Sequence, residues 1–204
     1  MDANFQPCDP ARFAAALQRF DEANRHDPNV IVVNGKPQPW EQVYAEWLTD
    51  WVLRLCPEAS EELRLAARSQ HLCRWQVPRQ SYPMTRVGYL QWREYLKKFH
   101  AEKAGEILRE TGYPLETIAR VQSLNLKKDL AHDPEARVLE DALCLVFLEH
   151  QFAELCAKTP EEKMVGVLQK TWTKMTAAGR KAALALPFGD KEKSLLERAL
   201  NSVQ

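Results

Sequence analysis

Glycine is scarce in this chain, at seven of 204 residues. No G-x-x-x-x-G-K run occurs, so no glycine-rich loop offers its backbone N–H groups to a phosphate. Long apolar runs are missing as well. The longest, Ala142 to Leu148, is far too short to span a bilayer. There is no excess charge of one sign: 28 Lys and Arg balance 28 Asp and Glu. That disfavours a broad electrostatic grip on nucleic acid and leaves room for a local basic pocket. None of the five cysteines (Cys8, Cys56, Cys73, Cys144 and Cys156) lies in a C-x-x-C pair. Cys56, Cys144 and Cys156 sit among apolar neighbours, as buried reduced thiols do. The polar, acidic start MDANFQPCDP lacks the apolar core of a signal peptide. These absences point to a cytoplasmic protein with no membrane partner.

What is present is helical punctuation. The length suits a single domain, residues 1–204, whose core needs neither disulfide nor metal. Asp9-Pro10 is an N-cap followed by Pro at the first helical position, with Phe13, Leu17 and Phe20 at helical spacing beyond it. Val30 to Val33 followed by Asn34-Gly35 reads as a short strand and turn, a β hairpin near residues 30–37. Trp40 to Leu55 reads as a second helix, with Val43, Trp47, Trp51 and Leu55 one turn apart. Pro57 opens a third, carrying Leu63, Ala66, Ala67 and Gln70-His71. A two-proline loop, Val77 to Pro83, separates it from a fourth helix, capped by Thr85 and stopped at Gly112. Pro114 begins a fifth, to about Lys128. Asp133-Pro134 opens the central helix, apolar all round from Ala142 to Leu148. Thr159-Pro160-Glu161-Glu162 reads as a capping box, with the last two helices over Glu161 to Lys174 and Asp190 to Ser202. The fold class is therefore all-α, a single-domain helical bundle with at most that hairpin.

Such a chain has to build a site from side chains on facing helices. Three ligand-type residues lie inside apolar stretches: His71, His100 and Asp141. Buried without compensation, each would cost several kcal/mol. The alternatives are ordinary ones: a satisfied core histidine, or an aspartate bound to an arginine or a backbone donor. The stretch Arg74 to Arg86 carries three arginines between aromatic residues and no acid, which points to an anion. His26-Asp27 and His132-Asp133 both precede proline at helix boundaries and read as turn and cap aspartates.

The stretch from His100 through Gly105, Ile107-Leu108 and Gly112, then Glu135 to Leu145 with Asp141, resembles the second half of an HD domain, the fold of a superfamily of metal-dependent phosphohydrolases. Leu65 to Arg74 resembles that superfamily's His-Asp segment, with His71 as the histidine and Leu72 in place of the aspartate. The superfamily's first histidine has no counterpart, and Glu41 lies in its place. The resemblance implies an HD-like core over about residues 40–157 with a C-terminal helical extension over 158–204. The chain also resembles an uncharacterised bacterial and fungal family, through segments such as Arg19 to Asn24, Gln70 to Trp75, Gly88 to Arg93 and Leu139 to Leu148.

From the resemblance follows an expected chemistry. His71, His100 and Asp141, with Glu41, would hold a divalent transition metal; mixed imidazole and carboxylate ligation suits Mn, Fe, Co, Ni or Zn. Glu140 or Glu102 would take a proton from the attacking water. Arg74, Arg79 and Arg93 would grip a phosphate, and Trp75 or Tyr89 would stack on a base. The expected activity is metal-dependent hydrolysis of a nucleotide or other small phosphorylated compound. The alternative is a non-catalytic phosphate- or nucleotide-binding module on a degenerate HD-like scaffold.

Overall fold

The computed structural model describes residues 5–201. It is all-α apart from one two-stranded hairpin. The chain divides into two compact units, Met1–Ala136 and Arg137–Gln204.

In the first unit, helix α1 (Pro10–Arg25) starts where Asp9 Oδ1 accepts from the N–H groups of Ala11 at 3.1 Å and Arg12 at 3.0 Å. Strands β1 (Val30–Val33) and β2 (Lys36–Pro39) pair antiparallel, Val30 opposite Pro39 and Val33 opposite Lys36. The two-residue turn between them needs positive φ at both positions, which Asn34 (51°) and Gly35 (76°) supply. Helix α2 (Trp40–Leu55) follows directly. Helix α3 (Glu61–Ser69) is capped by Ser60, whose hydroxyl accepts from Leu63 N at 3.1 Å. Helix α4 (Arg86–Glu110) is capped by Thr85 and ends before Gly112, at φ 82°. Helix α5 is Leu115–Asn125. Phe20, Leu48, Leu63, Leu65, Leu72, Leu108 and Leu124 are fully buried here.

Helix α6 (Pro134–Val146) begins at the end of the first unit, with Asp133 Oδ1 accepting from Glu135 N and Ala136 N at 3.0 and 3.2 Å. So Asp133 serves as a cap, as its place before Pro134 suggested. In the second unit α6 passes through a π-helical turn, Phe147–Gln151, into α7 (Phe152–Lys158). Then come α8 (Glu161–Lys174), α9 (Ala177–Leu184) and α10 (Asp190–Asn201). Phe152 packs edge-on against Phe188 with ring centres 5.8 Å apart, and Leu145, Met164 and Leu168 are buried in this unit as well. Among the described residues, no helix is long and apolar enough to cross a membrane.

Four sequence expectations need correction. The third helix starts at Glu61, beyond Pro57, and ends at Ser69, so His71 lies in the turn that follows it. The central helix is interrupted by the π turn. Thr159 does not form a capping box: it is already the C-cap of α7, and Pro160 stands at the N-cap of α8 without a side-chain bond. Helix α9 was not foreseen, because its Ala-rich eight residues carry no stripe of large apolar side chains. The expected end of the last helix, Ser202, lies outside the described residues.

A local clamp holds α9 in place. Thr176 Oγ1 accepts from Gly179 N at 3.2 Å, and its own hydroxyl proton goes to Asp141 Oδ2. Thr176 N donates to Asp141 Oδ1 at 2.8 Å. Gly179 sits against that carboxylate: a Cβ there would fall 2.5 Å from Asp141 Cγ. Gly179→Ala is therefore expected to destabilise the protein by about 1–3 kcal/mol, as overpacking does, despite alanine's better helix propensity. Denaturant unfolding of the two proteins measures the difference.

Candidate functional site

The site is assembled in the first unit from three segments that meet at buried polar side chains. The first turn of α2 brings Glu41, 5% exposed. The turn after α3 brings His71, Leu72, Cys73 and Arg74. The middle of α4 brings His100, 2% exposed. His71 Nδ1 stands 3.3 Å from Glu41 Oε2. The His71 ring stacks on Tyr44 at 4.1 Å and lies 5.7 Å, centre to centre, from the ring of His100.

The α3–α4 turn is unusual backbone. Cys73 has φ 54°, in the left-handed region that a residue with a Cβ adopts at a cost of roughly 1 kcal/mol or more. Asn24, on the inner face of α1, sustains it. Its Oδ1 accepts from Cys73 N at 2.9 Å, and its Nδ2 donates to Glu41 O at 3.3 Å. Asp27 completes the staple, Oδ2 accepting from Glu41 N at 3.0 Å and Oδ1 from Asn29 N at 2.9 Å. The left-handed turn sends Leu72 fully into the core and leaves Arg74 half-buried. Neither Asn24 nor Asp27 figured among the site residues expected from the sequence. The signal was there for Asn24: it lies one turn beyond Phe20, on the face that α1 buries.

Burial governs the charges. Desolvation lifts the Glu41 carboxyl from its ordinary 4.5 to about 8, with Asp27 adding to the effect and Arg74 opposing it. Desolvation lowers His100 from 6.5 to about 4; the Leu72 carbonyl works against that shift and Arg74 with it. His71 is held well below its ordinary value by burial first, then by the positive charges of Arg74, Arg93 and Lys127 and by His100. At neutral pH both imidazoles are uncharged and Glu41 keeps its proton. His100 Nδ1 faces Leu72 O at 2.9 Å, so the proton belongs on Nδ1 and Nε2 carries the lone pair.

Several buried atoms in this region have no hydrogen-bond partner: Glu41 Oε2, His71 Nδ1, His100 Nε2, Gln70 Oε1 and Asn125 Oδ1. Buried polar atoms in folded proteins are ordinarily satisfied by protein groups, ordered water or a bound species. In chemical type, two imidazole nitrogens and a carboxylate oxygen suit a transition metal. In placement they do not. Among the described residues, no group of three or more His, Cys, Asp and Glu side chains is arranged to hold a metal ion.

The remaining expected residues are placed as follows. Asp141 belongs to the second unit, where both of its oxygens are engaged by Thr176. This is the backbone-donor role that was its sequence alternative. Glu140, also there, is buried with Lys174 Nζ 3.6 Å from its Oε1. Glu102 is exposed on α4. Arg79 spends its guanidinium on the carbonyls of Tyr82 (3.0 Å), Pro83 (2.8 Å) and Thr85 (3.3 Å). Arg93 Nη1 donates to the Tyr89 hydroxyl at 3.3 Å, both side chains being exposed. Trp75 is half-buried, with its Nε1 unpartnered. Arg74 lies over the Trp92 ring at 4.9 Å, and the Trp92 Nε1 bond to Val77 O, 2.9 Å, fixes that ring. No hydrogen bond or ion pair to the Arg74 side chain is present among the described residues.

A protein-family model described as a domain of unknown function (DUF4202) matches residues 14–196. The chain belongs to this family. The match spans both units and includes Asn24, Glu41, His71, Arg74 and His100. Comparison with curated proteins and with solved structures gives no match.

Two outcomes are expected. Asn24→Ala leaves the Cys73 N–H buried and unpaired, at a cost of about 1–3 kcal/mol, read from urea unfolding. The second concerns pH. Folded Glu41 keeps its proton to about 8, whereas the unfolded chain loses it near 4.5. Between those values the folded state binds more protons, so this contribution to stability is lost as pH rises. Below about 6.5 His100 has the opposite effect, because the unfolded chain takes up the proton that the folded one refuses. Stability is therefore expected to fall as pH rises from about 6.5 to about 8, and the fall should vanish in Glu41→Gln. Chemical denaturation across that range checks it.

Proposed function

We propose that the chain is a binding module for a small phosphorylated compound, such as a nucleotide, on a degenerate HD-like helical scaffold. Arg74 carries the reading. It is a half-buried guanidinium that acts electrostatically on Glu41, His71 and His100, with no hydrogen-bonded or ion-paired counter-charge among the described residues. Its cation–π contact with Trp92 leaves its N–H groups without hydrogen-bond acceptors among the described residues, and a phosphate oxyanion would engage them through forked, charge-assisted hydrogen bonds. The neighbours suit an anion. Glu41 keeps its proton at neutral pH, so it adds no negative charge and can donate a hydrogen bond. The His71 side chain is 18% exposed, which leaves the cluster in touch with solvent. The buried Leu72 in place of the dyad aspartate agrees with a scaffold that kept its shape without the metal chemistry.

A second reading, a metal-dependent phosphohydrolase acting on the same class of compound, is favoured by one observation. His100 Nε2 is a ligand-type atom without a hydrogen-bond partner, and Glu41 Oε2 and His71 Nδ1, also ligand-type, face each other at 3.3 Å. It requires those atoms to be drawn onto one point.

Titration calorimetry with nucleoside monophosphates and inorganic phosphate separates the two when paired with elemental analysis and a phosphate-release assay in Mn, Co or Ni. The binding module predicts saturable binding without turnover. It also predicts that Arg74→Ala weakens binding about 10–100-fold, the loss typical of a hydrogen bond to a charged group. Rapid metal-dependent phosphate release selects the second reading. Absence of binding with no turnover overturns both.

A further inference from the structure

The first half of α4 stands out from the rest of the first unit in a way the anion site does not use. Gly88, Trp92 and Leu96 are its buried positions. On the opposite side Val87 is 65% exposed and Leu90 56%, and Met84 just before the helix is 75% exposed. These side chains are held outward by construction. Arg79 ties down the carbonyls of Tyr82, Pro83 and Thr85 on both sides of Met84. The loop also closes so tightly on α4 that a Cβ at Gly88 would overlap Pro83 O. A rigid apolar seam facing water is uncommon on a soluble protein and marks a contact surface.

Its flanks have one sign. Arg86, Arg93 and Lys98 are exposed around the seam; the one acid, Glu94, lies on the seam's own line one turn beyond Leu90, where it ends the apolar stripe and pairs with Lys97 at 3.1 Å. In a chain with zero net charge this is local segregation. A second copy packed on the same seam would set these cations against their own counterparts, which disfavours self-pairing. We propose that the Met84–Val87–Leu90 seam docks an amphipathic helix of a partner protein, with apolar residues along its contact stripe and Asp or Glu on its flanks. Helix-on-helix contact suits the convex surface: the partner's ridge lies along the seam, and its acids meet Arg86, Arg93 and Lys98.

The test uses the full chain and two synthetic helices. Both carry leucine at heptad positions a and d; one has glutamate at e and g, the other lysine. In fluorescence anisotropy the glutamate helix should bind and the lysine helix should not. Val87→Glu with Leu90→Glu should abolish binding. Arg86→Glu with Arg93→Glu should weaken it at least about tenfold, and more so at low salt. All four positions are exposed, so circular dichroism should be unchanged and the loss attributable to the surface. The proposal is overturned if neither helix binds, if both bind alike, or if binding survives the seam variant. It is equally overturned if light scattering shows a dimer of the chain that the seam variant dissolves.

Discussion

The Asn24 carboxamide joins the first turn of α2 to the left-handed turn after α3, and the candidate site depends on that junction. Its two ends accept and donate across segments far apart in the chain, Glu41 on one side and Cys73 on the other. Asp27 reinforces the α2 side through Glu41 N. A residue other than glycine at φ 54° persists only where its surroundings over-determine it, and here a buried hydrogen bond to its own N–H does so. From that turn follow the burial of Leu72, the Leu72 carbonyl that orients His100, and the place of Arg74 over Trp92.

Burial then decides the charge state. Three side chains that would be a carboxylate and two partly protonated imidazoles in water become a protonated acid and two neutral bases at pH 7. The electrostatic consequence is that Arg74 faces a cluster in which Glu41 does not neutralise it. This same desolvation makes the region expensive to keep. A fold that leaves His100 Nε2, Gln70 Oε1 and Asn125 Oδ1 without partners in its interior gives up stability that an apolar core would retain. Such concessions concentrate where a protein binds something.

Much of the architecture was legible in the chain because its signals are local. Asp9-Pro10, Asn34-Gly35, Thr85, Gly112 and Asp133-Pro134 each act within a few residues, and each marks a boundary in the structure. Local reading failed where a residue had two neighbours competing for it. Thr159 went to the end of α7 rather than the start of α8. Helix α9 had no apolar stripe to announce it, and it rests on a bond from Thr176 to Asp141, 35 residues away. At the site, His71 and His100 stood out as ligand-type residues in apolar surroundings, Glu41 came only from the resemblance to the HD superfamily, and Arg74 stood out as a cation in a stretch without acids. Asp141 had the same local appearance as the two histidines, and no sequence pattern could say that its oxygens belong to Thr176.

By itself, then, the sequence determined the helical class, most helix starts and stops, and the hairpin turn, since these follow from backbone preferences and caps that act over one or two turns. It also marked His100 and Asp141 as polar side chains set among apolar neighbours, and both are buried. Only the tertiary structure decided which of those side chains meet and in what charge state. Pairing across segments depends on chain reversals such as the one at Cys73, and desolvation is a property of everything packed around a group, not of the residues beside it in sequence.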